Sequence, residues 1–314
     1  MSDALVIYVG YGSDARWKQA LQDHLPDLKV VRHDEADGEY APSDVKYAVV
    51  WEPPDGWLAA FPNLECVVSI AAGVRQILKD PSYPRSVPII RTVSESMRMS
   101  MAGYVVLHVL RFHRRLAEIE QAQVERKWVE YLEPPASAVR VGILGLGALG
   151  TAAAAGLNAV GYRVIGWSRR DKAVDGVRVV SGPEGLQELL GQADILVCLL
   201  PHTPSTENIL NSETFAAMPA GSALINAGRG EHVVEADLLA ALDSGHLRGA
   251  TLDVFREEPL PADSPFWSHP KVLITSHTAA ANDPSSVGQL IADNLRAFRN
   301  GEAVRDIVDI EQGY

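Results

Sequence analysis

The stretch VRVGILGLGALGTAAAAGLNAV, Val139–Val160, decides the fold. It passes from an apolar, β-branched segment through Gly145, Gly147 and Gly150 into a run of small helix-forming residues. In a strand–turn–helix unit the first glycine permits the tight turn. The second lets backbone approach a pyrophosphate, and the third lets the helix pack closely on the strand. The pyrophosphate then rests on amide N–H groups at the helix N-terminus, where the helix dipole favours an anion. Glycine spacing alone is a weak signal; the strand before it and the helix after it make this one specific.

Working outward, VRVGILG is followed by YRVIGWS, DILVCLL, SALINAG, GATLDVF and KVLITSH, with helical stretches such as ADLLAALDSG between them. That series reads as a complete doubly wound nucleotide-binding domain. Upstream, LVIYVG, LKVVRHD, YAVVWE, LECVVSIAA and VPIIRTVS alternate with helical patterns such as DARWKQALQDHL, the sign of a second parallel sheet. One long helix is expected from Met101 to about Leu132, with Met101, Tyr104, Val105, His108, Phe112, Leu116 and Ile119 on one face, until EPPAS breaks it. The last helix, VGQLIADNLRAFRNG, is too short to stand alone and should pack back on the first domain. The expected architecture is α/β with two doubly wound parallel-sheet domains. A flavodoxin-like substrate domain spans residues 1–99 and 282–314, and a Rossmann cofactor domain spans 100–281.

A rival fingerprint lies at IYVGYGSDA, where Gly10, Gly12 and Ala15 fit a relaxed pattern and Asp34 falls where a ribose-binding acid would. Asp14 opposes it, because a carboxylate at the helix start repels phosphates while serving well as a helix cap. The second strand of the favoured domain ends in GYRVIGWSRRDK, Gly161–Lys172. An acid at that strand end accepts from the ribose 2′-hydroxyl and repels a 2′-phosphate; here Ser168 holds the place and Arg169 and Arg170 follow. A charge-assisted hydrogen bond contributes about 1.5–3 kcal/mol, or about 10- to 100-fold in affinity. The pattern therefore predicts NADP(H) over NAD(H), the plainer alternative being two surface arginines in a turn.

The 28 basic and 40 acidic residues give a formal charge of -12, which argues against nucleic acid as a partner. RFHRR, Arg111–Arg115, reads as the solvated face of a helix. No apolar run approaches the roughly 18 residues of a membrane span, and the N-terminus lacks a secretory pattern, so a cytoplasmic address is the default expectation. Cys66 and Cys198 sit inside apolar strand-like runs and read as small buried hydrophobes, not as a disulfide or a metal site.

Polar residues follow the later strands: Arg229 in INAGRGE, Asp253 in LDVF, Glu258 in REEPLP and His277 in ITSHTAA. These sites at strand carboxyl ends are where open α/β sheets bind ligands. Together with LPHTPSTENILN and the block NAGRGEHVVEADLLAALDSGHLRGATLDVFREEPLP, they make nearly the whole chain resemble the D-isomer-specific 2-hydroxyacid dehydrogenase family. Within it the chain is most similar to the NADPH-using branch that reduces glyoxylate and hydroxypyruvate.

The resemblance implies that Arg229 binds the substrate carboxylate and reacting carbonyl oxygen, a planar array that suits a guanidinium fork. His277 would donate the proton, and Glu258 would orient it. Spacing alone does not separate Glu258 from Glu257; only the match of the Glu-Pro pair favours Glu258. The cofactor would contact Gly145, Gly147, Ala148, Leu149, Gly150, Ser168, Arg169, Arg170, Leu200, Pro201, Thr206, Ala227, Gly228 and Ala280, with Asp253 facing the nicotinamide carboxamide. In SIAAGVRQI, Ala72, Gly73 and Val74 would hold the substrate carboxylate, and Trp51 of VVWEPP would lie near the substrate, with Trp57 and Trp267 as weaker candidates. The long helix resembles the family's dimer-forming helix, which implies a homodimer. His232, His246 and His269 read as loop or helix-end residues. Two departures stand out: Arg75 follows Gly73 and Val74 where the family commonly has Asp, and Gly103 replaces an acid before Tyr104. A reductase of bulkier acids such as phenylpyruvate, and a non-catalytic dinucleotide-sensing scaffold, remain the alternatives.

Overall fold

A computed structural model describes residues 3–9, 13–35 and 40–311. The chain divides into two compact units, Met1–Ser96 with Ala281–Tyr314, and Met97–Ala280.

The first unit carries β1 (Ala4–Tyr8), α1 (Asp14–His24), β2 (Lys29–Arg32), β3 (Val45–Val50), β4 (Cys66–Ser69), α2 (Arg75–Leu78) and β5 (Ile89–Arg91). Its sheet is parallel with order β2-β1-β3-β4-β5, the flavodoxin-like order. Inward residues alternate to both faces, so Leu5, Ile7 and Val49 feed one apolar cluster and Val6, Ala48 and Val50 the other.

Next come α3 (Glu95–His113), α4 (Leu116–Val124), β6 (Arg140–Leu144), α5 (Ala148–Val160), β7 (Arg163–Ser168), β8 (Val177–Ser181), α6 (Gly182–Leu190) and β9 (Ile195–Cys198). They are followed by α7 (Ser212–Ala217), β10 (Ser222–Asn226), α8 (Glu235–Asp243), β11 (Leu247–Leu252), β12 (Val272–Ile274) and α9 (Pro284–Arg299). The second sheet is parallel with order β12-β11-β10-β9-β6-β7-β8, the Rossmann order extended by one strand. The strand order reverses beside β6, so the glycine turn that follows it opens at the switch point where such sheets bind ligands. Helix α9 returns to the first unit and packs on α1, burying Val287, Ile291, Ala292 and Leu295 in its core.

Four expectations are corrected. The long helix starts earlier, at Glu95, and breaks at Arg115, whose φ of 52° is left-handed. Beyond the break the chain folds back, so that Tyr131 stacks under the Arg115 guanidinium at 4.9 Å and Glu133 lies 3.5 Å from it. Leu116 and Ile119 are therefore exposed and do not continue the buried face of α3. Gly103 lies on an exposed turn inside α3 with open space at its Cβ position, not at a helix start. RFHRR is not wholly solvated: His113 is buried, its ring nitrogens 2.7 Å from the Tyr162 hydroxyl and 2.8 Å from the Pro134 carbonyl. Asp14 is the first residue of α1, not its cap, and its carboxylate accepts the Val9 N–H at 2.9 Å. In the rival fingerprint, Gly10 and Gly12 lie outside the described residues, and Asp34 is paired with Arg32.

Candidate active site

The second unit builds its ligand-facing edge from the turns after β6, β7, β9, β10, β11 and β12. Gly145 has a φ of 97°, and a Cβ there would stand 2.8 Å from the Leu199 carbonyl oxygen. At Gly150 a Cβ would fall 1.9 Å from the Gly145 carbonyl oxygen, so α5 approaches the turn as only glycine allows. At Gly147, which caps α5, nothing lies within 4 Å of the Cβ position. That open side, with the first amides of α5 at Ala148 and Leu149 behind it, fits a pyrophosphate.

β7 ends on half-buried Ser168, and Arg169 and Arg170 are exposed beyond it. The nearest acid, Asp171, is engaged by the Ser181 hydroxyl. Lys172, which sequence inspection passed over, donates to the Leu146 carbonyl inside the glycine turn, and burial lowers its pKa. Arg169, Arg170 and Lys172 thus follow the end of β7 within four residues.

After β9, buried Thr206 donates to the Pro201 carbonyl at 2.8 Å and accepts the Thr203 N–H at 2.8 Å, closing a loop that starts at buried Leu200. After β10, fully buried Asn226 spans the turn that holds Ala227 and Gly228: its Oδ1 accepts the Gly228 N–H at 3.2 Å and its Nδ2 donates to the Arg229 carbonyl at 3.0 Å. The Arg229 guanidinium is half-buried and donates to the Gly228 carbonyl at 2.6 Å.

Asp253 is 2% exposed at the end of β11. Its Oδ1 accepts from the Thr275 hydroxyl at 2.6 Å and the Thr278 N–H at 2.9 Å, and its Oδ2 accepts the Ala279 N–H at 3.0 Å, next to Ala280. The His277 N–H donates to the Asp253 carbonyl at 2.8 Å, and His277 takes a φ of 53°. A left-handed conformation is strained for a side chain such as histidine, and such strain gathers at functional sites. His277 Nδ1 lies 2.7 Å from Glu258 Oε2, with the two side chains 38% and 35% exposed. Glu258 Oε1 accepts the Phe255 N–H at 2.8 Å. Burial would raise the Glu258 carboxyl, but the hydrogen bonds from His277 and Phe255 and the nearby positive charge outweigh it and hold it below its ordinary value. Geometry thus separates the two acids, since it is Glu258 that meets the histidine.

The arginine loop meets the loop of Glu258 through Gly230. A Cβ there would lie 1.9 Å from the Phe255 carbonyl carbon and 2.3 Å from the Arg256 nitrogen. Asn226, Gly230 and His232 were invisible to sequence inspection as site residues. His232 is fully buried at the end of the 3-10 turn Gly230–His232 that follows Arg229. His246 and His269 lie at the far ends of their helix and loop, against the Phe215 carbonyl and Asp243.

In the first unit, the Ser69 hydroxyl anchors the turn holding Ala72 and Gly73 by donating to the Gly73 carbonyl at 3.1 Å, while Val74 is buried in the core. Arg75 is exposed at the start of α2. Trp51 is half-buried against the unit's core, Trp57 packs edge-on to Phe61, and Trp267, in the second unit, is 52% exposed. Cys66 and Cys198 are buried and free, and burial pushes both thiols up to about 12. Among the described residues no three His, Cys, Asp or Glu side chains gather to hold a metal ion, and no helix is long and apolar enough to cross a membrane.

Fold and site together define an α/β protein of the dinucleotide-binding class. Residues 106–279 match the family model described as D-isomer specific 2-hydroxyacid dehydrogenase, NAD binding domain. Over 316 aligned residues, 99% of each chain, the protein is 38% identical to the glyoxylate/hydroxypyruvate reductase A of Yersinia enterocolitica. A D-isomer specific 2-hydroxyacid dehydrogenase from Xanthobacter autotrophicus Py2, solved with NADPH and MES, is 42% identical and superposes with a TM-score of 0.95 over the whole of both chains. An NADPH-dependent glyoxylate/hydroxypyruvate reductase from Sinorhizobium meliloti, solved with NADP and sulfate, is 36% identical with a TM-score of 0.94, covering 99% of this chain and all of that one. The chain belongs to the D-isomer specific 2-hydroxyacid dehydrogenase family.

Proposed function

We propose that the protein is an NADPH-dependent reductase of small 2-oxo acids, converting glyoxylate and hydroxypyruvate to glycolate and D-glycerate. The observation that carries it is the His277–Glu258 pair at 2.7 Å: His277 lies on the loop after β12 that Asp253 fastens, and Glu258 on the loop after β11 that abuts Gly230, next to Arg229. When bound, NADPH supplies the hydride to the carbonyl carbon.

The chain's own residues do the rest. The Arg229 guanidinium pairs with the carboxylate and the carbonyl oxygen, fixing the face presented and drawing charge toward that oxygen. His277 releases its proton to the same oxygen, and the ionised Glu258 holds the imidazolium in place until then. Ala72, Gly73 and Val74 would offer backbone amides to the carboxylate, and Trp51 would border the substrate. Ser168, Arg169 and Arg170 support preference for the 2′-phosphorylated cofactor, with NAD(H) as the weaker alternative.

The apolar side chains beyond α3 support a homodimer. Val124, Trp128 and Leu132 are 77%, 92% and 104% exposed, a set that a second copy would cover. Light scattering should give twice the 34.0 kDa chain mass and the chain mass alone after Trp128→Asp with Leu132→Asp.

The test of function is cofactor oxidation with NADPH and NADH in turn, against glyoxylate, hydroxypyruvate, pyruvate and phenylpyruvate. Turnover of the small acids with strong NADPH preference is expected. Turnover of phenylpyruvate alone would discard the substrate, and tight NADPH binding without any turnover would favour a sensing scaffold.

A further inference from the structure

We infer that His232 is a positioning residue that sets Arg229 by holding its backbone amide while fastening the loop after β9; the inference rests on the role proposed above for Arg229. His232 ends the single 3-10 turn Gly230–His232 that follows Arg229, and its side chain is fully buried. Its Nδ1 accepts the Arg229 N–H at 3.1 Å, and its Nε2 stands 3.3 Å from the Pro201 carbonyl oxygen. An amide N–H only donates and a carbonyl oxygen only accepts. One tautomer alone satisfies both, with the proton on Nε2 and the lone pair on Nδ1.

The surroundings keep the ring in that form. Burial holds the imidazole neutral by pushing its pKa down to about 4. The Cys198 sulfur lies 3.6 Å from the same Nδ1, where a thiol is a further weak donor to the lone pair. Space for the ring comes from Gly228, where a Cβ would stand 3.0 Å from Nδ1 and 3.1 Å from Cε1. Gly228 is thus required by His232 as well as by any ligand at the turn.

Both polar groups of the Arg229 backbone are consequently held from behind. Its N–H goes to the imidazole, and its carbonyl accepts from Asn226 Nδ2 at 3.0 Å and from the His232 N–H at 3.2 Å. Neither His232 nor Asn226 has to touch substrate to matter. They fix the root of Arg229, so the guanidinium is presented from a set position, and the same ring ties that root to Pro201.

His232→Asn and His232→Gln test the inference, because asparagine puts an acceptor near the Nδ1 position whereas glutamine reaches toward Nε2 and leaves the Arg229 N–H without one. With NADPH and glyoxylate, the asparagine variant should keep KM for the acid within about threefold, and the glutamine variant, which keeps a donor for the Pro201 carbonyl, should raise it about tenfold or more with NADPH affinity by fluorescence little changed. Amide hydrogen exchange at Arg229 should stay slow in the unsubstituted protein and His232→Asn and become fast in His232→Gln. Equal exchange in all three proteins, or a glutamine variant with the parental KM, overturns the clamp. Absence of turnover in the unsubstituted protein overturns the proposed reaction, while the exchange pattern still decides whether His232 holds Arg229.

Discussion

Replacing Gly230 by alanine tests whether the two loops of the site work as one piece. The added Cβ would begin 1.9 Å from the Phe255 carbonyl carbon, 2.0 Å from its oxygen and 2.3 Å from the Arg256 nitrogen, where ordinary contact starts at 3.4 Å. All three atoms are backbone, so no side chain can swing aside, and the segments must part by about 1.5 Å. One segment carries Arg229; the other begins at Phe255, whose N–H orients Glu258 at 2.8 Å and through it His277. Misplacement of reacting groups by about 1 Å costs about a hundredfold in rate, so kcat/KM for glyoxylate should fall at least that far. Overpacking should cost about 1–3 kcal/mol of stability, which a domain of this size tolerates. The assays are NADPH oxidation at 340 nm, NADPH affinity by fluorescence, and thermal unfolding by circular dichroism. A folded Gly230→Ala protein whose kcat/KM stays within about threefold would refute the coupling of the two loops.

Further outcomes are expected. Arg229→Ala should lower kcat/KM by about a hundredfold or more, and a loss under about tenfold would remove Arg229 from the substrate site. Ser168→Asp should shift preference toward NADH by about 10- to 100-fold, measured as the ratio of kcat/KM for the two cofactors; no shift would mean the 2′-phosphate lies elsewhere. Burial lowers the pKa of His108 and His232 from 6.5 to about 4, so between those values the unfolded chain takes up protons that the folded chain refuses. Stability should therefore decline as pH falls from about 6.5 to about 4, by at most about 1.4 kcal/mol per pH unit for each group. Urea unfolding of His108→Phe between pH 7 and 5 should show a shallower decline than the unsubstituted protein, and identical slopes would contradict the burial argument.

Local patterning made most of the fold legible. Eleven of the twelve strands lie under apolar runs bounded by turn residues, such as LECVVSIAA and VPIIRTVS, and the glycine turn at Gly145–Gly150 marks the switch point of the second sheet without any tertiary knowledge. β8 was passed over although VRVVS sits between Gly176 and Gly182, because this edge strand is only half-buried and its apolar run is short. The break at Arg115 has no proline or glycine to announce it, and the partners that Arg115 meets there, Tyr131 and Glu133, lie far along the chain. The same division holds in the site. Arg229, Glu258 and His277 stand out through their motifs, whereas Asn226, His232 and Lys172 act through hydrogen bonds to backbone carbonyls and amides that no spacing encodes.

The return of α9 to the first unit also bears on the order in which the chain matures. β1–β5 are complete by Arg91, yet the apolar face formed by Leu5, Ile7, Val30 and Val68 waits for Val287, Ile291 and Leu295. The second unit lies wholly within Met97–Ala280 and closes its two apolar clusters from its own residues. On the ribosome, synthesis must therefore finish the later unit before the earlier one. The amino-terminal sheet emerges first and is sealed last, which makes it the part of the nascent protein most in need of protection from aggregation.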